Sequence, residues 1–438
     1  MNEFRKDVEA KIHRMRIDGW ANTIAGIAGS QDKSINTYHS AVGNIADEFL
    51  ASMYVEEELT HKVVSTLPKD MTREWIEIEG ERELIDKLET KMDQLAVISA
   101  FDDALNWKRL FGGSIILMGI MDGQQLDKPV NRKRIKSVEY LKVIDRTDIH
   151  TDLCQFYDDP RDANYGKIKY YNVNLRNNNH GAVRPNQLIH ESRVLEFKSS
   201  PVPEVYIQTD SDLRYWGLPY IRYVYDQLRD MGGVNAGIAN LLYEYVVGIY
   251  RMNGLGNILA QEGGEKKVIE RMEIINTSKS LINAIILDAD KESFDRNTAS
   301  LQGLPDVMDR FMMFLASVSD YPVTKLFGRS PAGMNATGES DMAMYYDEVK
   351  AAQTRDMKQP IDKFLSYLAD SKEDGFNYDD ITWDFKPLDQ LNEKEQAEVN
   401  KIKADTKKVI AETYKTLIDT GIVDGTALEA IVKEEFEL

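Results

Sequence analysis

The sequence predicts an α+β fold that is mostly helical, and three observations carry that reading. Residues 137–195 alternate strand-like runs with turns. Several long stretches elsewhere repeat apolar residues at helical spacing. Segment 321–341, YPVTKLFGRSPAGMNATGESD, separates two of those helices with a loop rich in Gly, Ser, Pro and Asn. At 438 residues and 42% hydrophobic content the chain can bury a real core, and its length predicts roughly two to three domains.

Residues 1–60 read as helical, with Ile35, Ala41, Ile45, Phe49 and Met53 near helical spacing around Tyr38. A helix over 81–110 follows and ends at Gly112-Gly113. Strand-like runs at 138–144, 167–171 and 194–197 are separated by turns at Asp158-Asp159-Pro160 and Asn177-Asn178-Asn179. A helix over 218–250 carries Ile221, Val224, Leu228, Val234, Ile238 and Leu241 on one side. If continuous it is roughly 45–50 Å long, although Gly232, Gly233 and Gly237 weaken its middle. Residues 251–302 form a small glycine-punctuated insert, with an apolar strand at 281–287 and an acidic turn at Asp288-Ala289-Asp290.

A second helix over 303–319 repeats Leu304, Val307, Met308, Phe311, Phe314, Leu315 and Val318, and Pro322 stops it. Beyond the loop, a third helix over 339–370 contains Pro360. Its apolar period continues through Ile361, Phe364, Leu365 and Leu368, which predicts a kink rather than two helices. A strand at 381–385 and charge-rich C-terminal helices complete the chain.

The formal net charge is −19, so gripping duplex DNA through clustered cations is excluded. The charge serves solubility, and it is compatible with an acidic channel wall along which a polyanion slides. Cys154 is the only cysteine, which rules out an intrachain disulfide and a Cys-based zinc site and fits a reducing cytoplasm. The N-terminus has no apolar signal core, and the apolar runs at 114–121 and 241–249 fall far short of the ~20 residues of a membrane span, so a soluble, intracellular protein is expected.

Six histidines show no HExxH and no paired ligand spacing. A two-histidine phosphodiesterase needs two H-x-[ST] elements, one for acid and one for base, and only His190-Glu191-Ser192 fits. The Gly-rich segments at 253–257 and 263–267 lack Walker spacing. Adjacent carboxylates such as Asp102-Asp103 are expected by chance among 73 acidic residues. Ser330, Thr337 and Ser340 have no neighbouring histidine to activate them. No catalytic site, metal or cofactor is expected, and the chain reads as a non-enzyme.

The loop matches L-F-G-x-S-P-x-G-x-N-A-T-G-E-x-D at every specified position from Leu326 to Asp341. In this it resembles the portal proteins of tailed bacteriophages, ring channels at one capsid vertex through which DNA passes. Four shorter pieces match the same branch in order: the region from Tyr38 to Trp75, Ile189-His190-Glu191-Ser192-Arg193-Val194-Leu195, Trp216-Gly217-Leu218-Pro219, and Trp383-Asp384-Phe385-Lys386-Pro387-Leu388. The resemblance covers roughly residues 35 to 438.

It implies a portal-like division: an N-terminal wing (1–217), a first stem helix (218–250), a β-containing clip (251–302) and a second stem helix (303–327). A tunnel loop (328–340), a kinked helix with a wing strand (341–385) and a helical crown (386–438) follow. DNA would brush the loop at Arg329, Ser330, Pro331, Gly333, Met334, Asn335, Thr337 and Gly338. Leu281, Ile285, Leu287, Asp288 and Asp290 of the clip would meet the partner below. The implied partners are further copies of the chain in a dodecameric ring, capsid and scaffold proteins, the terminase, a head–tail connector and passing duplex DNA, with no membrane. The ring would sit in the virion after assembly in the host cytoplasm. Because this branch's name has also been attached to phosphodiesterases that defeat bacterial nucleotide signalling, nucleotide hydrolysis stands as the alternative.

Overall fold

A computed structural model describes residues 45–176, 183–207, 211–243, 246–252, 255–260, 262–282, 292–298, 303–329, 339–373 and 375–388, with positions 401 and 408. The body opens with α1 (Asp47–Glu56), α2 (Glu58–Arg73), β1 (Ile76–Glu79), α3 (Arg82–Gln94) and α4 (Val97–Phe111). The single helix expected over 81–110 is therefore two, parted at Leu95 and Ala96, where Ala96 takes a left-handed φ of 49°.

Strands β2 (Gly113–Ile120), β3 (Val138–Asp145), β4 (Gln155–Phe156), β5 (Ile168–Arg176), β6 (Val183–His190) and β7 (Val194–Lys198) form two three-stranded antiparallel sheets, ordered β3-β2-β7 and β4-β5-β6. Every residue of β2 is buried, because both faces are covered. Ile116, Met118 and Ile120 join the main core with α4, whereas Ile115 and Leu117 join a second core containing Tyr171, Val173, Ile189 and Trp216. A strand covered on two sides reads as a continuous apolar run rather than an alternation. The run at 114–121, noted in the sequence only as too short for a membrane, is this strand.

Short helices α5 (Glu204–Ile207) and α6 (Ser211–Trp216) lead into α7 (Ile221–Tyr243). Its stripe buries Ile221, Val224, Leu228 and Met231, but from Gly232 to Leu241 nothing is buried although Val234, Ile238 and Leu241 continue the period. The far half of α7, roughly 18 Å at 1.5 Å per residue, projects from the body. There the chain enters β8 (Val246–Met252), α8 (Leu255–Leu259), α9 (Gly264–Ile282) and β9 (Glu292–Thr298). It returns along α10 (Leu304–Val318), which packs against α7 and buries only its last turns, at Leu315 and Ala316.

Two sequence expectations change here. The helix expected to reach residue 250 stops at Tyr243, and residues 246–252 pair antiparallel with 292–298, from Val246↔Thr298 to Met252↔Glu292. Val246-Val247 and Ile249-Tyr250 suit a strand, and the ladder across the insert satisfies their backbone groups. The start of the strand expected over 281–287 is corrected as well: Leu281 and Ile282 close the nineteen-residue helix α9, and positions 283–287 lie outside the described residues.

Helix α11 (Val323–Phe327) follows Pro322 and ends at Gly328, whose φ is +67°. Helices α12 (Glu339–Asp356) and α13 (Lys358–Ala369) flank Met357, and β10 (Thr382–Phe385) pairs with β1 from Ile76↔Phe385 to Glu79↔Thr382. The Lys386 N–H also donates to the Trp75 carbonyl at 3.0 Å. The Trp383–Leu388 motif is thus a return strand that ties the end of the described chain to its beginning.

Candidate functional site

The loop expected to do the work starts after Gly328, and both of its ends are fixed on α2. On the incoming side, the Tyr321 hydroxyl donates to the Val63 carbonyl at 2.9 Å and accepts from the Leu67 N–H at 3.1 Å and from Arg109 Nη2 at 3.0 Å. Arg109 also donates to the Val64 carbonyl at 3.0 Å and lies 3.6 Å from the Tyr220 ring centre. On the outgoing side, the Tyr345 hydroxyl donates to Asp70 Oδ2 at 2.7 Å and Gln353 Nε2 donates to the Met71 carbonyl at 2.8 Å. Lys325 Nζ reaches Asp70 Oδ1 at 2.9 Å, so one buried carboxylate binds residues from both sides of the loop. Tyr321 and Tyr345 meet edge to face with ring centres 5.8 Å apart. Burial pushes the pKa of both hydroxyls up, so they stay protonated donors.

This root fixes the segments that lead into and out of the loop against one helix. A buried polar network is costly when half satisfied and specific when complete. Its members are spread from Val63 to Gln353, so no local motif announces them.

Of the expected tunnel-loop residues, only Arg329 lies among the described residues, and Ser330, Pro331, Gly333, Met334, Asn335, Thr337 and Gly338 lie outside them. Arg329 is exposed, and its Nη1 is 2.8 Å from Asp309 Oδ1 on α10. Ile285, Leu287, Asp288 and Asp290 of the expected clip contact also lie outside the described residues, as does nearly all of 386–438.

Pro360 occupies the third position of α13, and the axis is interrupted one turn earlier, at Met357, with φ −113° and ψ −29°. A proline has no N–H for the carbonyl four residues back and its ring crowds that carbonyl. That carbonyl belongs to Asp356, the last residue of α12. Met357 N–H still bonds the Gln353 carbonyl and Ile361 N–H bonds the Met357 carbonyl, each at 2.9 Å. The expected kink is in this structure an elbow between two helices, and the Asp356 side chain at its corner pairs with buried Lys108 at 2.6 Å.

The His190–Leu195 motif has a structural use. His190 ends β6, and its Nδ1 accepts from the Ser192 N–H at 3.1 Å, capping the turn at Glu191–Arg193. The ring is buried edge-on against Tyr170, and burial lowers its basicity, which leaves it neutral near pH 7. Arg193 and Asp122 form a fully enclosed ion pair, with side chains 1% and 0% exposed and 2.9 Å apart. Asp122 also accepts the Asn131 and Gln124 N–H groups at 2.9 and 3.0 Å. Among the described residues no group of three or more His, Cys, Asp or Glu is placed to hold a metal ion, and no helix is long and apolar enough to cross a membrane.

An α+β body, a two-helix stalk tipped by a β ribbon and an anchored inter-helical loop define a scaffold with a projecting arm. A family model described as phage portal protein matches residues 49–409, and the chain belongs to that family. Among its relatives are proteins called Anti-CBASS protein Acb1. The one from Caulobacter sp. (strain RHG1) is 31% identical over 95% of this chain and 69% of its own length. The one from Sphingomonas paeninsulae is 31% identical over 93% of this chain and 64% of its own length. Among solved structures, a chain of the virion of a native gene transfer agent particle aligns over 89% of this chain and 94% of its own, with 12% identity and a TM-score of 0.49, too low to add to the assignment.

These relatives correct one expectation. The chain reads as a non-enzyme from its residues, but relatives this similar are called Anti-CBASS protein Acb1, and the expectation does not stand. Of the two H-x-[ST] elements that such chemistry needs, the sequence has only His190-Glu191-Ser192.

Proposed function

We propose that this chain is one subunit of a closed portal ring that passes duplex DNA at a capsid vertex. The observation that carries the reading is the arm: α7 leaves the body with an unburied apolar stripe, turns through the β8–β9 ribbon, and returns as α10. Val307 and Phe314, seven residues apart on one face of α10, are 44% and 56% exposed. An isolated domain gains nothing from such a face, whereas a neighbouring copy would cover it. Repeated around an axis, head-to-tail contacts of this kind close into a ring.

In this reading α7 and α10 are the stem helices, and the ribbon with α8 and α9 is the clip that meets a head–tail connector. Residues 328–340 are the tunnel finger, α12 and α13 with β10 belong to the wing, and 386–438 form the crown. Twelve subunits, a terminase docked on the ring, capsid and scaffold contacts, and residence in the virion belong to the same proposal. Arg329, the only cation of the finger, would exchange Asp309 for phosphates, and one exchangeable contact per subunit keeps DNA moving. Deletion of residues 330–337 should leave ring assembly intact and reduce DNA packaging at least tenfold in a packaging assay. Loss of assembly instead would make the loop a strut between subunits.

A second reading, hydrolysis of a nucleotide signal, is favoured by the name its relatives carry. His190 is the residue such chemistry would call on. The reading expects cleavage of cyclic oligonucleotides by the purified chain and its loss in His190→Ala with the fold retained by circular dichroism. Equal cleavage by both proteins would remove His190 from the chemistry.

A further inference from the structure

The elbow between α12 and α13 forms one wall of a cleft of about 420 Å³, and none of the roles above uses it. The opposite wall is the end of β7 with the segment after it, and the floor comes from α2 and α4. Lys108, Arg109, Lys198 and Arg355 line it, against the carboxylates of Glu196 and Asp356. Four cations against two carboxylates leave a surplus of two positive charges in a chain whose net charge is −19.

The two acids are also heavily engaged. Glu196 Oε1 accepts both the Tyr171 and the Tyr215 hydroxyls at 2.5 Å, and Asp356 is shared between Lys108 at 2.6 Å and Arg355 at 3.1 Å. Lys198 Nζ sits 3.4 Å from Glu196 Oε2 and 3.3 Å above the Tyr215 ring centre. Burial lowers the basicity of both Lys108 and Lys198 despite these partners. An incoming anion would offset that cost.

The rest of the lining is of another kind. Leu67, Met71, Leu218 and the exposed Tyr223 add an apolar and aromatic side, and Ser199 and Ser200 stand next to Lys198. The volume lies within the range of about 300–1,000 Å³ of small-molecule sites.

We propose that this cleft binds a nucleoside diphosphate, its phosphates at Lys198 and Arg355 and its base on the side of Tyr223. The proposal is independent of the ring and of His190. An occupant would brace the Asp356 elbow against β7, and α12 is the helix that leaves the loop, so binding ties the loop's outgoing end to the body.

Isothermal titration of the full chain with ADP at low salt tests it. The expected result is saturable binding below about 1 mM, pyrophosphate binding at least fivefold weaker, and at least tenfold weakening in Lys198→Gln, on the scale of one lost charge-assisted contact. Arg355→Gln, at a mostly exposed side chain, repeats the test and should weaken ADP severalfold. Absence of saturable ADP binding, equal affinity for pyrophosphate, or unchanged affinity in both variants overturns it.

Discussion

Asp122→Asn should lower the stability of the body by about 3–5 kcal/mol at pH 7, the cost of stranding a buried charge when its partner is removed. Arg193, 1% exposed, would keep its charge opposite a neutral amide, and the carboxylate that now accepts the Asn131 and Gln124 N–H groups would be gone. The pH dependence has a definite sign. Burial works against ionisation of Asp122, but the two N–H groups and the Arg193 guanidinium outweigh it and hold the carboxyl below its ordinary value of 3.8. The unfolded state therefore takes up the proton first as pH falls. The contribution is fully present above that range and is lost on acidification through the lowered folded value. Urea unfolding at pH 7 and pH 3 should show the gap between wild type and Asp122→Asn shrinking at the lower pH. A constant gap would mean the carboxylate's charge is not what stabilises this site.

Gly217→Ala should cost about 3 kcal/mol by the same measurement. Gly217 has a φ of +84°, and a Cβ there would lie 2.3 Å from the Ser200 carbonyl oxygen. The left-handed backbone alone costs an L-residue about 1–2 kcal/mol, and overpacking against a fixed neighbour adds about 1–3 kcal/mol. The neighbour is fixed because the Leu218 N–H donates to the same Ser200 carbonyl at 3.2 Å and the Ser199 N–H donates to the Trp216 carbonyl at 3.0 Å. Trp216 is fully buried, and its indole N–H donates to Thr151 at 2.9 Å. A loss below about 0.5 kcal/mol would show that segment 199–201 can move aside, against the close packing drawn here.

These two sites also mark what the sequence could tell. Trp216-Gly217-Leu218-Pro219 and the His190–Leu195 run are visible as matches to a family branch, but their physical purpose is not. The Asp122 that makes Arg193 tolerable lies 71 positions away. Local period was legible: the stripe of α7, the run of α10 and the strands β3, β5, β7 and β10 follow from spacing alone. Where the helix gives way to a ribbon at Val246 was not, because the partner strand is Glu292–Thr298, a polar stretch with no strand signature of its own. Pro360 announced a disturbance, but the break falls at Met357 because the effect acts on the carbonyl a turn earlier. The root of the loop needed contacts such as Tyr345 to Asp70, 275 positions apart, which no window of sequence contains.

The ring is the central claim, and imaging of the purified chain by cryo-electron microscopy, with mass by light scattering on the same fraction, tests it most directly. The account predicts closed rings with an axial opening, the α7–α10 arms side by side around it, and the exposed face of Val307 and Phe314 covered by the neighbouring copy. Assemblies in which that face stays open to solvent, or monomers that persist at high concentration and with scaffold protein added, would contradict it.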